Sequence, residues 1–166
     1  VKVIQHELSV TAKKNSEIQS RSWGNVAQVG LELFNKDIFL SQADRILEES
    51  IELLDAPECP NEEMDLILMP DQMILQIHES IGHPLELDRI LGDERNYAGW
   101  SFVNPGNFGN LKYGSEILNI TFDPTVKGQL ASYDFDDTGN KASKEYLIKD
   151  GVLVRGLGSL ESQVRS

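Results

Sequence analysis

The stretch from Met64 to Arg89, MDLILMPDQMILQIHESIGHPLELDR, decides how the chain is read. Its first six residues, Met64 to Met69, form an apolar run of strand length and are predicted to be a short buried strand that Pro70 stops. A helix is expected to follow at once. Asp71 can cap it, and Ile74, Ile77, His78 and Ile81 fall on one face, so that face should pack on apolar surface with His78 on or beside it. His78 adjoins Glu79, and His83 follows His78 by five residues. On an ideal α-helix of about 3.6 residues per turn, that spacing rotates the two imidazoles apart by about 140°. A straight helix does not converge them. Gly82 accepts left-handed or irregular backbone, and Pro84 disfavours helix at His83, so the helix is expected to end between Ser80 and His83. Such a break can swing His83 back toward a metal held by His78, with Glu79 alongside.

Each of these residues also has a plainer role open to it. His78 could be a satisfied core histidine, Glu79 a solvated acid on the helix face, and His83 a C-terminal residue favoured by the negative end of the helix dipole. Imidazole is a common metal ligand, so the spacing leaves both readings standing.

Working outward, Val1 to Phe34 mixes β-favouring and polar residues: Leu8 and Val10 alternate with Glu7 and Ser9, which predicts extended structure. Ser41 with Asp44 three residues later resembles a capping box, and Ala43, Leu47, Ile51 and Leu54 recur at helical spacing until Pro57. An amphipathic helix is expected from about Leu40 to Asp55. Pro84 to about Gly114 reads as a long loop, rich in glycine and containing Tyr97, Trp100 and Phe102. Glu116 to Phe122 reads as a strand. Tyr146 to Ile148 and Val152 to Arg155 flank an Asp150-Gly151 pair that accepts the positive φ angles of a tight hairpin. The expected fold class is α+β, with helices packed on a largely antiparallel β-sheet and the motif helix following a short buried strand.

At 166 residues, with 40% hydrophobic and 25% charged residues, the chain has the balance of a globular protein and one domain is the default count. The net charge of -12 repels phosphate backbones, and the densest basic cluster is Lys13 with Lys14, so no direct nucleic-acid partner is expected. No apolar stretch is long enough to span a membrane. Cys59 is the single cysteine and has no internal partner, and no signal peptide precedes the first residue, so a cytoplasmic location is expected. Val1 is not a methionine, and Ser166 follows closely on a strand-like segment, which leads us to expect a piece of a longer protein.

The segment IHESIGHPLELDR, Ile77 to Arg89, resembles the signature of the TldD/PmbA family, whose active members carry H-E-x-x-x-H with a glycine-rich continuation; His78, Glu79, Gly82, His83, Leu85 and Glu86 match it. The resemblance extends to Asp123 to Gly156, which runs through the D-D-x-G turn of Asp136 to Gly139 into the hairpin of Leu147 to Leu153. It covers most of these residues but only the central part of a family chain, with an N-terminal α/β region before it and a β-rich stretch after it. The resemblance implies a zinc-dependent peptidase acting on small or unfolded peptides, with His78 and His83 as ligands and Glu79 as catalytic base. It also implies a dimer, or a heterodimer with a PmbA-type subunit that lacks the motif. Family members have also been described as modulators of DNA gyrase, which would make the chain a non-catalytic regulatory or interaction module instead.

Two departures matter. The family's third metal ligand is a cysteine downstream of the segment at which this chain ends; Cys59 precedes the motif and does not match it, so the isolated chain is expected to be inactive. Pro84 stands where many relatives have glycine. Glu86 and Asp88 are candidates to orient a histidine. Trp100 and Phe102 could line a peptide groove or pin the loop to the core, and Asp134, Asp136 and Asp137 read as an acidic turn.

Overall fold

A computed structural model describes residues 2–165. Val1 and Ser166, the outer ends of the expected extended segment and of the piece, lie outside them. Where length gives one domain as the default, contacts divide the chain into two compact units, Val1–Met64 with Val126–Ser132, and Asp65–Thr125 with Tyr133–Ser166.

The first unit is a hairpin under a helix. Strand β1 (Ile4–Lys14) pairs antiparallel with β2 (Glu17–Ala27) in unbroken register from Ile4 against Ala27 to Lys14 against Glu17. Asn15 takes the positive φ that the turn requires, a conformation asparagine tolerates better than most residues. Along β1 the alternation turns Ile4, His6, Leu8, Val10 and Ala12 to one half-buried face. Helix α1 (Lys36–Asp55) lies against both strands and buries Ile46 and Ser50 completely. Its predicted start at Leu40 is corrected by four residues. Asn35 is the cap, accepting from the N–H groups of Asp37 and Ile38 at 3.0 and 3.1 Å, whereas the Ser41 hydroxyl is already inside the helix and donates to Ile38 O. His6, Trp23, Phe34 and Phe39 form an aromatic cluster, with 5.0 Å between the rings of His6 and Trp23.

The second unit is α+β, as expected. Its sheet runs β3 (Ile120–Phe122), β4 (Glu145–Lys149), β5 (Val152–Leu153) in spatial order, all antiparallel. Asp150 and Gly151, at φ 49° and 78°, close the predicted hairpin; a Cβ on Gly151 would lie 2.6 Å from the carbonyl oxygens of Gly114 and Ser115, so the position demands glycine. The expected strand from Glu116 shortens to β3 because Ser115 to Leu118 is a turn, closed by the Leu118 N–H on Ser115 O at 2.9 Å. The core joins Ile81, Leu85, Val103, Leu147, Ile148 and Leu153.

Other expectations are corrected here. Met64 to Met69 is not a buried strand. Its backbone forms no ladder among the described residues, and Ile67 stays 87% exposed, because a strand is stabilised only by a partner and a covered face. The helix that follows, α2 (Pro70–Ile77), begins with Pro70 in its first turn and has no side-chain cap, so Asp71 does not cap it. Its predicted face is only partly used: Ile81 beyond its end is buried and Ile77 packs on the core, while Ile74 is 66% exposed. The region after Pro84 is more ordered than a loop. It holds a short helix α3 (Leu87–Leu91), stopped by Gly92 at φ 89°. A further helix α4 (Leu160–Arg165), not foreseen, meets α3 through the Ser162 hydroxyl to Asp88, and its Arg165 pairs with Asp93 just beyond α3.

Candidate metal centre

The five-residue spacing of the histidines is resolved by a change of helix type rather than by a break. After α2, residues His78–Gly82 form one π-helical turn and His83–Leu85 a 3₁₀ turn. The His83 N–H donates to His78 O, which is the i to i+5 bond that defines the π turn. The wider turn takes up much of the divergence that an α-helix would impose, and the ring of His83 comes to lie against that of His78. The ring centroids are 4.3 Å apart, with planes inclined at 71°.

This corrects the expected geometry in two places. Gly82 is right-handed, at φ -54° and ψ -71°, and His83 keeps helical angles of -57° and -45° although Pro84 follows it. The chain leaves the helix only at Glu86, whose ψ is 120°.

The ligand atoms offered by His78, Glu79 and His83 all lie within 4.8 Å of one another, and Glu79 Oε1 is 3.8 Å from His78 Nε2. His78 is no core histidine: its side chain is 53% exposed and that of Glu79 68%. His83 caps the end of the π turn through its N–H, and its ring nitrogen faces a carboxylate. Glu86 Oε1 sits 3.0 Å from His83 Nδ1, while Glu86 Oε2 accepts from Arg89 Nε at 3.1 Å. Arg89 Nη2 also lies 3.3 Å from the same Nδ1, so the ring nitrogen meets a carboxylate and a guanidinium together; in the tautomer that gives its Nδ1 proton to Glu86, Nε2 is free to bind a cation.

Arg89 was missed in the sequence. It also donates to Ala98 O at 2.7 Å and pairs with Glu94 at 3.4 Å, so one largely buried guanidinium anchors Glu86 and the segment beyond α3 together. Glu86 and Arg89 at i,i+3 are the sequence signal that could have found it. Backbone bonds fix the same corner: the Leu87 N–H donates to Leu157 O at 2.6 Å, and the Leu157 N–H to Leu85 O at 2.7 Å.

The remaining candidates fall elsewhere. Asp88 faces Ser162 and not a histidine. Cys59 is exposed and free, and it is not part of the His78, Glu79 and His83 group. Trp100 and Phe102 are exposed, so they do not pin their loop to the core; Arg95 stacks on Trp100 at 4.8 Å, and Phe102 lies 5.7 Å from Tyr113. Asp136 folds its own turn, accepting from the Asn140 and Thr138 N–H groups and both their side chains, which holds its carboxyl at about 2.

Two imidazoles and a carboxylate are donor types that zinc accepts, and their closeness fits one shared ion. No helix among the described residues is long and apolar enough to cross a membrane.

Comparison with known proteins gives the family. Residues 61–165 match the model of the PmbA/TldA metallopeptidase C-terminal domain. A metalloprotease of Methanocaldococcus jannaschii is 30% identical over 161 residues, spanning 95% of this chain and 33% of that protein. A metalloprotease of Methanothermobacter thermautotrophicus is 32% identical over 158 residues, covering 93% of this chain and 32% of that protein. The chain thus spans about a third of the length of the relatives it matches. A crystal structure from Bacteroides thetaiotaomicron, of a protein named as a candidate modulator of DNA gyrase, shares the fold at a TM-score of 0.75 and 15% identity, covering 98% of this chain and 35% of that one. With its family model matched over more than half its length and a relative at 30% identity across nearly all of it, the chain belongs to the TldD/PmbA family of metallopeptidases.

Proposed function

We propose that this chain is the metal-holding part of a longer zinc-dependent peptidase that hydrolyses peptide bonds in small or unfolded peptides. His78 and His83 are two of its ligands and Glu79 is its proton-transfer base. The observation that carries the reading is the π turn, which converts a divergent five-residue spacing into facing imidazoles with a carboxylate beside them.

Bound zinc supplies Lewis acidity toward the scissile carbonyl and toward water. The residues of the chain do the rest. Glu86, 3.0 Å from His83 Nδ1, takes that nitrogen's proton in a hydrogen bond in the metal-binding tautomer, which orients the ring and leaves Nε2 to the metal. Glu79, more than two-thirds exposed, is free to reach an incoming peptide. It takes a proton from the water whose oxygen bonds to the carbonyl carbon, then delivers it to the amine nitrogen as the C–N bond breaks. A catalytic zinc normally takes three protein ligands. We place the third, by the resemblance, on sequence beyond Ser166, so the chain alone is inactive. A cytoplasmic location and a dimer, or a heterodimer with a PmbA-type subunit, complete the proposal.

The test is Glu79→Gln in the longer protein. Zinc content should stay near that of the unsubstituted protein while peptide hydrolysis falls by about two to four orders of magnitude, the usual scale of acid-base catalysis. Equal hydrolysis by the two proteins would remove Glu79 from the reaction.

A further inference from the structure

The turn that carries the histidines has a missing backbone donor. In an α-helix the Ser80 carbonyl would accept from the amide four residues on. That residue is Pro84, which has no N–H. The carbonyl is satisfied from outside the helix: the Tyr113 hydroxyl donates to Ser80 O at 2.6 Å, across 33 positions of sequence. A half-buried carbonyl without a partner would be costly, so this bond opposes any rearrangement that carries Ser80 O away.

Tyr113 is itself fixed to the sheet. Its N–H donates at 2.7 Å to the carbonyl of Gly151, the hairpin residue between β4 and β5, and its ring packs against the core and on Phe102. Burial raises the pKa of its hydroxyl above the usual tyrosine value. At the exit of the turn the Ser101 hydroxyl donates to Pro84 O at 2.6 Å. Carbonyls on both sides of His83 are thus held from one neighbouring segment. The competing state is an ordinary α-turn, in which His78 and His83 would point about 140° apart.

We propose that Tyr113 is a positioning residue for the metal centre: its hydroxyl holds the five-residue turn in which His78 and His83 face a common ion. The proposal rests on reading those histidines as ligands, and the experiment separates the two. Tyr113→Phe in the longer protein removes one oxygen and keeps the ring on Phe102, so the fold is retained. Cobalt(II) serves as the probe, with affinity measured by chelator competition, the visible absorption bands recorded, and thermal unfolding of the metal-free protein followed in parallel. The dissociation constant for cobalt should rise about tenfold, the lower end of the effect of losing an outer partner of a metal ligand, and the bands should shift. A hydroxyl that only adds stability would lower the unfolding midpoint and leave affinity and bands of the folded protein unchanged; that result overturns the proposal alone, provided His78→Ala weakens cobalt binding. Cobalt binding indifferent to His78→Ala overturns the ligand assignment and this proposal together.

Discussion

Replacing Glu86 by glutamine changes one atom and tests how His83 is held. In the structure Glu86 offers one oxygen to His83 Nδ1 at 3.0 Å and the other to Arg89 Nε at 3.1 Å. Arg89 can only donate, so a glutamine there must turn its carbonyl oxygen to Arg89 and its amide nitrogen to His83. The amide then donates to Nδ1, which puts the ring proton on Nε2, the nitrogen that must give its lone pair to the metal. Loss of an outer partner of a metal-bound histidine costs about 10- to 100-fold in affinity. The Glu86 side chain is 36% exposed, so water can partly replace it and the low end applies. The expected result is about a tenfold rise in the zinc dissociation constant, about 1.4 kcal/mol. Competition with a chromogenic chelator, on protein shown by circular dichroism to be folded, reads this directly. An unchanged zinc affinity would refute the claim that Glu86 sets the tautomer of His83.

Three further outcomes are expected. The 166-residue chain alone should retain little zinc after dialysis and cleave no peptide, since two matched ligands fall short of the usual three; near-stoichiometric zinc, lost on His83→Ala, would show a complete site within it. Gly151→Ala should destabilise the second unit by about 1 to 3 kcal/mol, because φ is 78° and the new Cβ meets two carbonyl oxygens at 2.6 Å, and an unchanged urea midpoint would contradict this. The backbone N–H of Asn140 and the Thr138 hydroxyl lower the Asp136 carboxyl to about 2, below its unfolded value near 3.9; its stabilisation of the turn is complete above pH 4 and is lost as pH falls through about 2. A carbon-detected titration of Asp136 with a midpoint near 3.9 would remove that bond network.

Elements specified by local chemistry were legible in the sequence. The Asp150-Gly151 hairpin needs two positive φ angles and carries the residues that accept them, and the run to Asp55 has helical periodicity with a proline beyond it. The chemistry-bearing residues were legible too, as a triplet. What failed depends on distant partners. Met64 to Met69 has strand composition, but composition does not supply a neighbouring strand. The π turn needs a bond from residue i+5, and the hydroxyl that holds Ser80 O, that of Tyr113, is separated from it by 33 positions. Pro84 is visible in the sequence, yet His83 before it keeps helical angles and the chain leaves the helix only at Glu86. The start of α1 was misplaced because Asn35 lies outside the apolar periodicity that it caps.

The central claim, that a π turn brings His78 and His83 onto one metal ion, is tested most directly by diffraction from zinc-soaked crystals of the longer protein at energies on either side of the zinc edge. The account predicts an anomalous peak bonded to one nitrogen of each ring, with the His83 N–H still on His78 O. A peak bonded to neither histidine, or a continuous α-helix in which the two rings diverge, would contradict it.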